Sequence, residues 1–176
     1  MADRLGGMSE TCDVAHGTAP ADPGVRTLVA VFASPVSGFL LRFARDLGYH
    51  VTLYEPAAAR ATDVPDGIEA DTTLPPLDGS ADVVVTDHHR PELGPVLKAA
   101  LEGKPRWVGV LGNPRHPGPH VAALRGLGVP DEEIAHVHRP VGLNIGSRTP
   151  AEIALATLAG LLADRNGRPG GFDFGE

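Results

Sequence analysis

The chain has a single cysteine, no long apolar run and no excess of positive charge. Cys12 is the only cysteine among 176 residues, which excludes an internal disulfide framework and a zinc site built from several cysteines of one chain. No apolar run approaches the roughly 20 residues that a membrane-spanning helix needs. Residues 1–24 also lack the apolar core of a signal peptide. We therefore expect a cytoplasmic protein without a membrane partner.

Basic residues are outnumbered by acidic ones. Lysine and arginine number 15 against 22 aspartate and glutamate residues, so the net charge is −7 at pH 7. Nonspecific binding to nucleic acid needs a basic face. The charge balance therefore predicts no nucleic-acid partner.

Glycine and proline, by contrast, are abundant, with 22 and 17 residues, and some of them collect at the two ends. Polar residues mixed with glycine and proline predict a disordered tail over residues 1–24 and a flexible C-terminal tail over residues 166–176. Residues 25–165 remain as one domain, long enough to bury a full core. Cys12 falls in the first tail, where we expect a free thiol.

The central part of the chain alternates between apolar strand runs and helical patterns. Strands are predicted over residues 25–33, 50–54, 81–86 and 106–111, with a short one near 67–70. Helices are predicted over residues 35–47, 91–101, 116–127, 130–135 and 150–164, and residues 138–147 are predicted as loop. Strands rich in valine and leucine on both faces indicate a parallel sheet covered on both sides. The prediction is an α/β, three-layer Rossmann-like fold with a mainly parallel sheet, in which ligands bind at the carboxyl ends of the strands.

The first strand, loop and helix stand where the dinucleotide fingerprint G-x-G-x-x-G would lie. Residues 32–37 in that register read Phe-Ala-Ser-Pro-Val-Ser, so none of the glycines is present. Ser34 and Ser37 are the polar side chains of this loop. Glu55 ends the second strand about 20 residues on, where an acid would hold a ribose hydroxyl. NAD(P) binding by an oxidoreductase and a structural unit without nucleotide both remain open.

Residues 140–149 lead into the last helix and carry the parts of an anion site. The candidates are Gly142, Gly146, Ser147, Arg148 and the N-cap residue Thr149. Free N–H groups at a helix N-terminus attract anions, and an arginine beside them adds charge. The alternative is a helix start that Glu152 already closes, because Thr149 and Glu152 have the spacing of a capping box.

Two further loops follow strands and face the same predicted cleft. Gly112, Asn113 and Arg115 follow the fourth strand, and Arg115 with Arg148 would suit a phosphate group. Asp87 and His88 follow the third central strand. The alternative for Arg115 and Arg148 is that both arginines only face solvent.

Histidine pairs leave a metal site open without indicating one. His116 and His120 are spaced to share one helical face, and His136 and His138 lie two residues apart. Surface imidazoles explain both pairs more simply. We assign no metal ligand and no catalytic residue.

Three segments resemble the C-terminal Rossmann domain of the XdhC/CoxF family. They are residues 106–113 (RWVGVLGN), 128–134 (GVPDEEI) and 138–154 (HRPVGLNIGSRTPAEIA), and a weaker similarity extends over residues 25–164. The family comprises accessory factors of xanthine dehydrogenase and related molybdenum hydroxylases. Its usual G-A-G-H-V-A loop is replaced here by residues 32–37.

The resemblance implies a non-enzymatic chaperone that binds molybdenum cofactor and supports its sulfuration by a cysteine desulfurase. Such a chaperone passes the cofactor to a molybdenum hydroxylase apoenzyme, and family members are typically homodimers. On this reading the pterin phosphate or dinucleotide tail of the cofactor would use the Gly109–Arg115 turn and the Gly142–Thr149 loop. The family's N-terminal domain has no counterpart here, so a separate protein could supply it. A non-catalytic Rossmann interaction subunit is the alternative.

Overall fold

One parallel sheet organises the chain. The structure, a computed structural model, describes residues 13–17, 24–61, 68–113, 115–116 and 118–171. Within them the strands are β1 (Thr27–Val31), β2 (His50–Tyr54), β3 (Ala70–Asp71), β4 (Ala81–Val85), β5 (Trp107–Val110) and β6 (Val137–His138). Their order is β3-β2-β1-β4-β5-β6, and every pairing is parallel. The predicted α/β Rossmann-like class is confirmed.

Helices cover both faces of the sheet. They are α1 (Pro35–Asp46), α2 (Leu93–Glu102), α3 (Pro119–Gly126), α4 (Asp131–Ile134) and α5 (Pro150–Arg165), with a 3₁₀ turn over Ala58–Arg60. In the part of the chain that the structure describes, none of them is long and apolar enough to cross a membrane.

Alternate residues of each strand supply two separate cores. On one face of β1, Val29 and Val31 pack with residues of α2 and α3 such as Leu97. On the other face, Leu28 packs with residues of α1 and α5 such as Leu158. Burying a leucine side chain contributes about 1.5–3 kcal/mol. The continuous apolar strands are therefore explained by burial on both faces.

The strand β6 corrects the prediction of a loop over residues 138–147, because His138 belongs to this strand. Val137 and His138 pair with Val108 and Gly109 of β5. Two residues are too few to show a strand period, so the sequence carries no signal for β6. Residues 13–15 form a helical turn, whereas Cys12 lies outside the described residues.

A buried ionic cluster fixes α5 to the amino end of the sheet. Asp82, at the start of β4, is fully buried and accepts hydrogen bonds from Arg106 at 2.6 Å and from Arg165 at 2.8 Å. Arg165 ends α5, so the N-terminus of this helix is placed at the opposite, carboxyl end of the sheet.

Candidate functional site

Glu55, predicted to hold a ribose, turns into the protein. Its carboxylate is fully buried and accepts hydrogen bonds from the backbone N–H groups of Ala33 at 2.9 Å and Ala57 at 3.0 Å. Arg90 adds two parallel hydrogen bonds at 3.0 and 2.8 Å. Burial by itself would raise the pKa of Glu55, but the bonds from Arg90 and the two N–H groups lower it below its usual value. Glu55 is therefore ionised and uses both oxygens within the chain.

Phe32 fills the first glycine position of the fingerprint. Its φ is 72°, in the left-handed region, and such a conformation costs a residue with a Cβ about 1–3 kcal/mol. The ring is fully buried, and the guanidinium of Arg90 lies 4.5 Å from its centroid. A cation–π contact of this kind contributes about 0.5–2 kcal/mol and offsets part of the strain. The sequence interpretation missed Arg90, whose only signal is a basic residue in the loop after β4.

Ser34 and Ser37, both predicted as cofactor contacts, close the start of α1. Ser34 Oγ accepts a hydrogen bond from the Ser37 N–H at 3.0 Å, and Ser37 Oγ accepts one from the Ser34 N–H at 2.9 Å. Ser34 Oγ also donates to Thr86 Oγ1 at 3.0 Å. The N–H groups of Ala33, Ser34 and Ser37, which would meet a pyrophosphate in a dinucleotide-binding protein, are thus satisfied internally. The residues of this loop do not fit NAD(P).

The N-terminus of α5 is closed in the same manner. Glu152 Oε2 accepts hydrogen bonds from the backbone N–H groups of Arg148 at 2.7 Å and Thr149 at 3.0 Å. These two bonds lower the pKa of Glu152. Thr149 Oγ1 accepts one from the Glu152 N–H at 3.3 Å. The chain's own carboxylate therefore occupies the position predicted for an anion.

A cavity of about 700 Å³ lies at the carboxyl ends of β4 and β5, beside α5. Its lining comprises Val36, Thr86, His88, Leu111, Gly112, Asn113, Arg115, Pro140–Ser147, Ile153, Ala156 and Thr157. We call it the switch-point cavity, because it borders the β1–β4 boundary where the strand order reverses. Its size suits one small-molecule ligand.

The switch-point cavity collects about half of the predicted site residues. Those that line it are His88, Gly112, Asn113, Arg115, Gly142, Gly146 and Ser147. Those outside the lining are Ser34, Ser37, Glu55, Asp87, Arg148 and Thr149. Sequence interpretation missed the apolar walls of the cavity, including Val36 and Ile153. Apolar positions of a helix are ordinarily interpreted as part of the hydrophobic core.

Polar groups in the cavity include a neutral imidazole. Burial lowers the pKa of His88, and the nearby His89 and Arg139 lower it further, against a hydrogen bond to the backbone of Leu111. Asp87 serves the turn instead, since its carboxylate accepts a hydrogen bond from the His89 N–H at 2.9 Å. Asn113 Oδ1 likewise accepts from the Arg115 N–H at 2.9 Å. His88 thus offers a ligand an uncharged hydrogen-bonding partner.

In one wall of the cavity, the backbone of the 140–147 segment packs directly against the backbone of α5. The Leu143 N–H donates to the Ala156 carbonyl of α5 at 3.0 Å. Gly142 has a φ of 88°, and a Cβ added at Gly160 would lie 2.9 Å from the Gly142 Cα. Glycine at both positions therefore lets the 140–147 segment lie directly on α5.

The histidines form no metal cluster in the described ranges, where no three His, Cys, Asp or Glu side chains come together as ligands. His120 is buried, whereas His116 is exposed. His138 stacks on Trp107 at 5.0 Å between ring centroids. It lines a second cavity of about 760 Å³ near the start of β5, together with the exposed His136.

Comparison with known proteins identifies the family. The model of the XdhC Rossmann domain matches residues 28–161. The chain belongs to this family. The resemblance carried by the three sequence segments is thereby confirmed, and the switch-point cavity of this XdhC domain is built within the matched span.

Two relatives extend beyond the region that this XdhC domain covers. The uncharacterized protein YqeB of Escherichia coli K12 is 43% identical over 75 residues, which are 43% of this chain and 14% of that protein. The crystal structure of a xanthine dehydrogenase from Bacillus halodurans superimposes with a TM-score of 0.64 at 24% identity, over 82% of this chain and 44% of that one. The XdhC domain thus spans less than half of either relative, and the structural likeness supports the fold.

Proposed function

We propose that this XdhC-family chain is a cytoplasmic accessory factor in the maturation of a molybdenum hydroxylase, and that it binds molybdenum cofactor in the switch-point cavity. The observation that carries the proposal is that residues 111–113 and 140–147 line this cavity, within the span of the family match. The structural relative from Bacillus halodurans bears the name of a xanthine dehydrogenase, which agrees with this role.

The chemistry of the cavity suits a pterin. A pterin is a flat bicycle with apolar faces and with hydrogen-bond donors and acceptors around its edge. Val36, Leu111 and Ile153 provide apolar wall, while Asn113 and Asn144 provide amides. A cavity that is mainly apolar with a few convergent polar groups is typical of small-molecule sites.

His88 would set the orientation of the bound pterin. Its ring lines the cavity, and burial lowers its pKa and so favours the neutral form. A neutral imidazole that donates from one nitrogen accepts at the other. His88 would therefore accept a hydrogen bond from a ligand N–H.

Arg115 would hold the anionic end of the cofactor. It is exposed at the cavity, and arginine binds phosphate bidentately. When bound, the cofactor supplies the molybdenum centre that the recipient hydroxylase uses; this chain's residues bind and orient it.

The same role implies protein partners. We infer that the chain docks with the hydroxylase apoenzyme, and that a cysteine desulfurase meets it during sulfuration of the cofactor. A homodimer completes the proposal.

Retention of molybdenum cofactor by the purified chain tests the proposal. Cofactor released from a molybdenum enzyme is mixed with the protein and ultrafiltered, and retained pterin is measured by fluorescence after oxidation. We expect retention by the native chain and roughly three- to tenfold weaker binding by His88→Ala, as for a neutral hydrogen bond.

His136→Ala is the matched control, because His136 is exposed beside the second cavity. It should bind as the native chain does. Absence of retention by the native chain, or equal losses in both variants, would contradict cofactor binding in the switch-point cavity.

A further inference from the structure

The geometry points to Arg139 as a positioning residue that fastens the Asn113–His116 turn, and with it Arg115, against the switch-point cavity. The sequence assigned no role to Arg139, which directly follows β6. The consequence for cofactor rests on the proposed function, whereas the fastening of the turn does not.

The guanidinium of Arg139 bridges the two ends of the turn. One nitrogen, Nη1, donates to the His116 carbonyl at 2.9 Å, and Nη2 donates to the Asn113 carbonyl at 3.2 Å. The turn is also closed internally, since the His116 N–H donates to the Asn113 carbonyl at 3.2 Å. We call these two hydrogen bonds from the guanidinium the Arg139 fork. Arg115 lies between the two carbonyls in sequence, so its backbone position depends on this fork.

Arg139 is anchored to the sheet through the residue that precedes it. His138, the residue before Arg139, pairs with Gly109 of β5. The turn that Arg139 holds follows the same strand, β5. Two segments leaving neighbouring strands are therefore joined by one side chain.

Gly112 makes the room for this arrangement. A Cβ at Gly112 would lie 2.5 Å from Arg139 Nη2 and 2.7 Å from Nε. Gly112, predicted from the sequence as a cofactor-site residue, thus makes room for the guanidinium of Arg139. Any side chain at this position would displace Arg139 from the turn.

Arg139 also acts on the cavity through its charge. It lowers the pKa of His88, after burial and His89, while Asp87 acts in the opposite direction. It lowers the pKa of the buried His120 as well, after burial. The titration of His88 therefore reports whether the guanidinium is in place.

Three variants test the inference on the full chain: Arg139→Met, Arg139→Lys and Gly112→Ala. Lysine keeps the charge but cannot form the fork. We expect roughly tenfold weaker retention of molybdenum cofactor in all three, as for loss of charged hydrogen bonds. The midpoint of the His88 titration, followed by NMR, should rise in Arg139→Met and less in Arg139→Lys. Amide exchange at Arg115 should quicken in every variant.

Arg168→Met is the control, since it removes the same charge from an exposed position and should change none of these readouts. Folded Arg139→Met protein with native His88 titration and native Arg115 exchange would overturn the inference. If one variant does not fold, the other two give the same test. If the native chain retains no cofactor, the proposed function fails, and the titration and exchange still decide the role of Arg139.

Discussion

At the scale of single residues, the Glu55–Arg90 pair determines whether the fingerprint loop, residues 32–37, can bind a nucleotide. The Glu55 side chain is fully buried and that of Arg90 is 7% exposed. A carboxylate at the end of β2 ordinarily faces a nucleotide, yet here it holds the backbone of Ala33 and Ala57. The conformation of the loop is therefore fixed by the Glu55 carboxylate.

Arg90→Met should strongly destabilise the chain, because it leaves Glu55 buried without its partner. We expect the free energy of unfolding to fall by about 3–5 kcal/mol, measured by urea denaturation at neutral pH. Arg125→Met is the control, since the Arg125–Asp131 pair is 60% and 69% exposed and such pairs contribute little. Equal effects of the two substitutions would refute a special role for the buried pair.

Stability should fall in acid, partly through Glu55. Its pKa is lowered in the folded chain, so the unfolded chain, with a glutamate pKa of about 4.3, takes up the proton first. The stabilisation is complete above that value and is lost as the pH falls through the folded pKa. Urea denaturation at several pH values should show a shallower acid dependence in Glu55→Gln. An unchanged slope in that variant would exclude Glu55 as the source.

The sequence placed Glu55 but could not place its partner. Position at a strand end is visible in the apolar run before it, whereas Arg90 lies 35 residues further on. Only folding brings β2 and the loop after β4 together. Phe32 was equally hidden, because no local signal marks a left-handed phenylalanine.

At the scale of elements, α5 positions the 140–147 segment, which forms one wall of the cavity, through a contact between two glycines. Gly160 packs against Gly142, and the Leu143 N–H donates a hydrogen bond to the Ala156 carbonyl. Periodicity predicted this helix to within a residue of its observed end, since a 16-residue helix shows its pattern clearly. The seating of the loop on the helix depends on close backbone approach, which no periodicity records.

Gly160→Ala should destabilise the chain although alanine favours helices. The added methyl would meet the Gly142 backbone at 2.9 Å, and overpacking of this kind costs about 1–3 kcal/mol. Gly126→Ala in α3 is the control, because a Cβ there meets nothing within 4 Å. That change should raise the unfolding free energy by up to about 1 kcal/mol. Thermal and urea unfolding of both variants distinguish the two cases, and stabilisation by Gly160→Ala would refute the contact.

At the scale of the whole molecule, the switch-point cavity lies to one side of the β1–α1–β2 crossover. The fingerprint loop between β1 and α1 is internally bonded, while the switch-point cavity opens at the ends of β4 and β5. The sequence pattern predicted a parallel sheet covered on both sides, but not the order of its strands. It also did not predict that the open cavity lies away from the loop after β1, because this depends on which polar groups form hydrogen bonds within the chain.

NAD⁺ and NADPH should therefore show no saturable binding up to millimolar concentration. The N–H groups of Ala33, Ser34 and Ser37 already have acceptors within the chain. Isothermal calorimetry on the purified chain measures this directly. Saturable binding accompanied by NMR shifts at Ala33 and Ser34 would show that the loop opens to dinucleotides.

The short outer strands have a consequence for how copies of the chain meet. Both β3 and β6 contain two residues, so an approaching strand finds little regular backbone with which to pair. Short edge strands protect parallel sheets against edge-to-edge aggregation. The sheet edges therefore offer a second copy of the chain little backbone to pair with, which leaves helical surfaces and loops as the available contact surfaces.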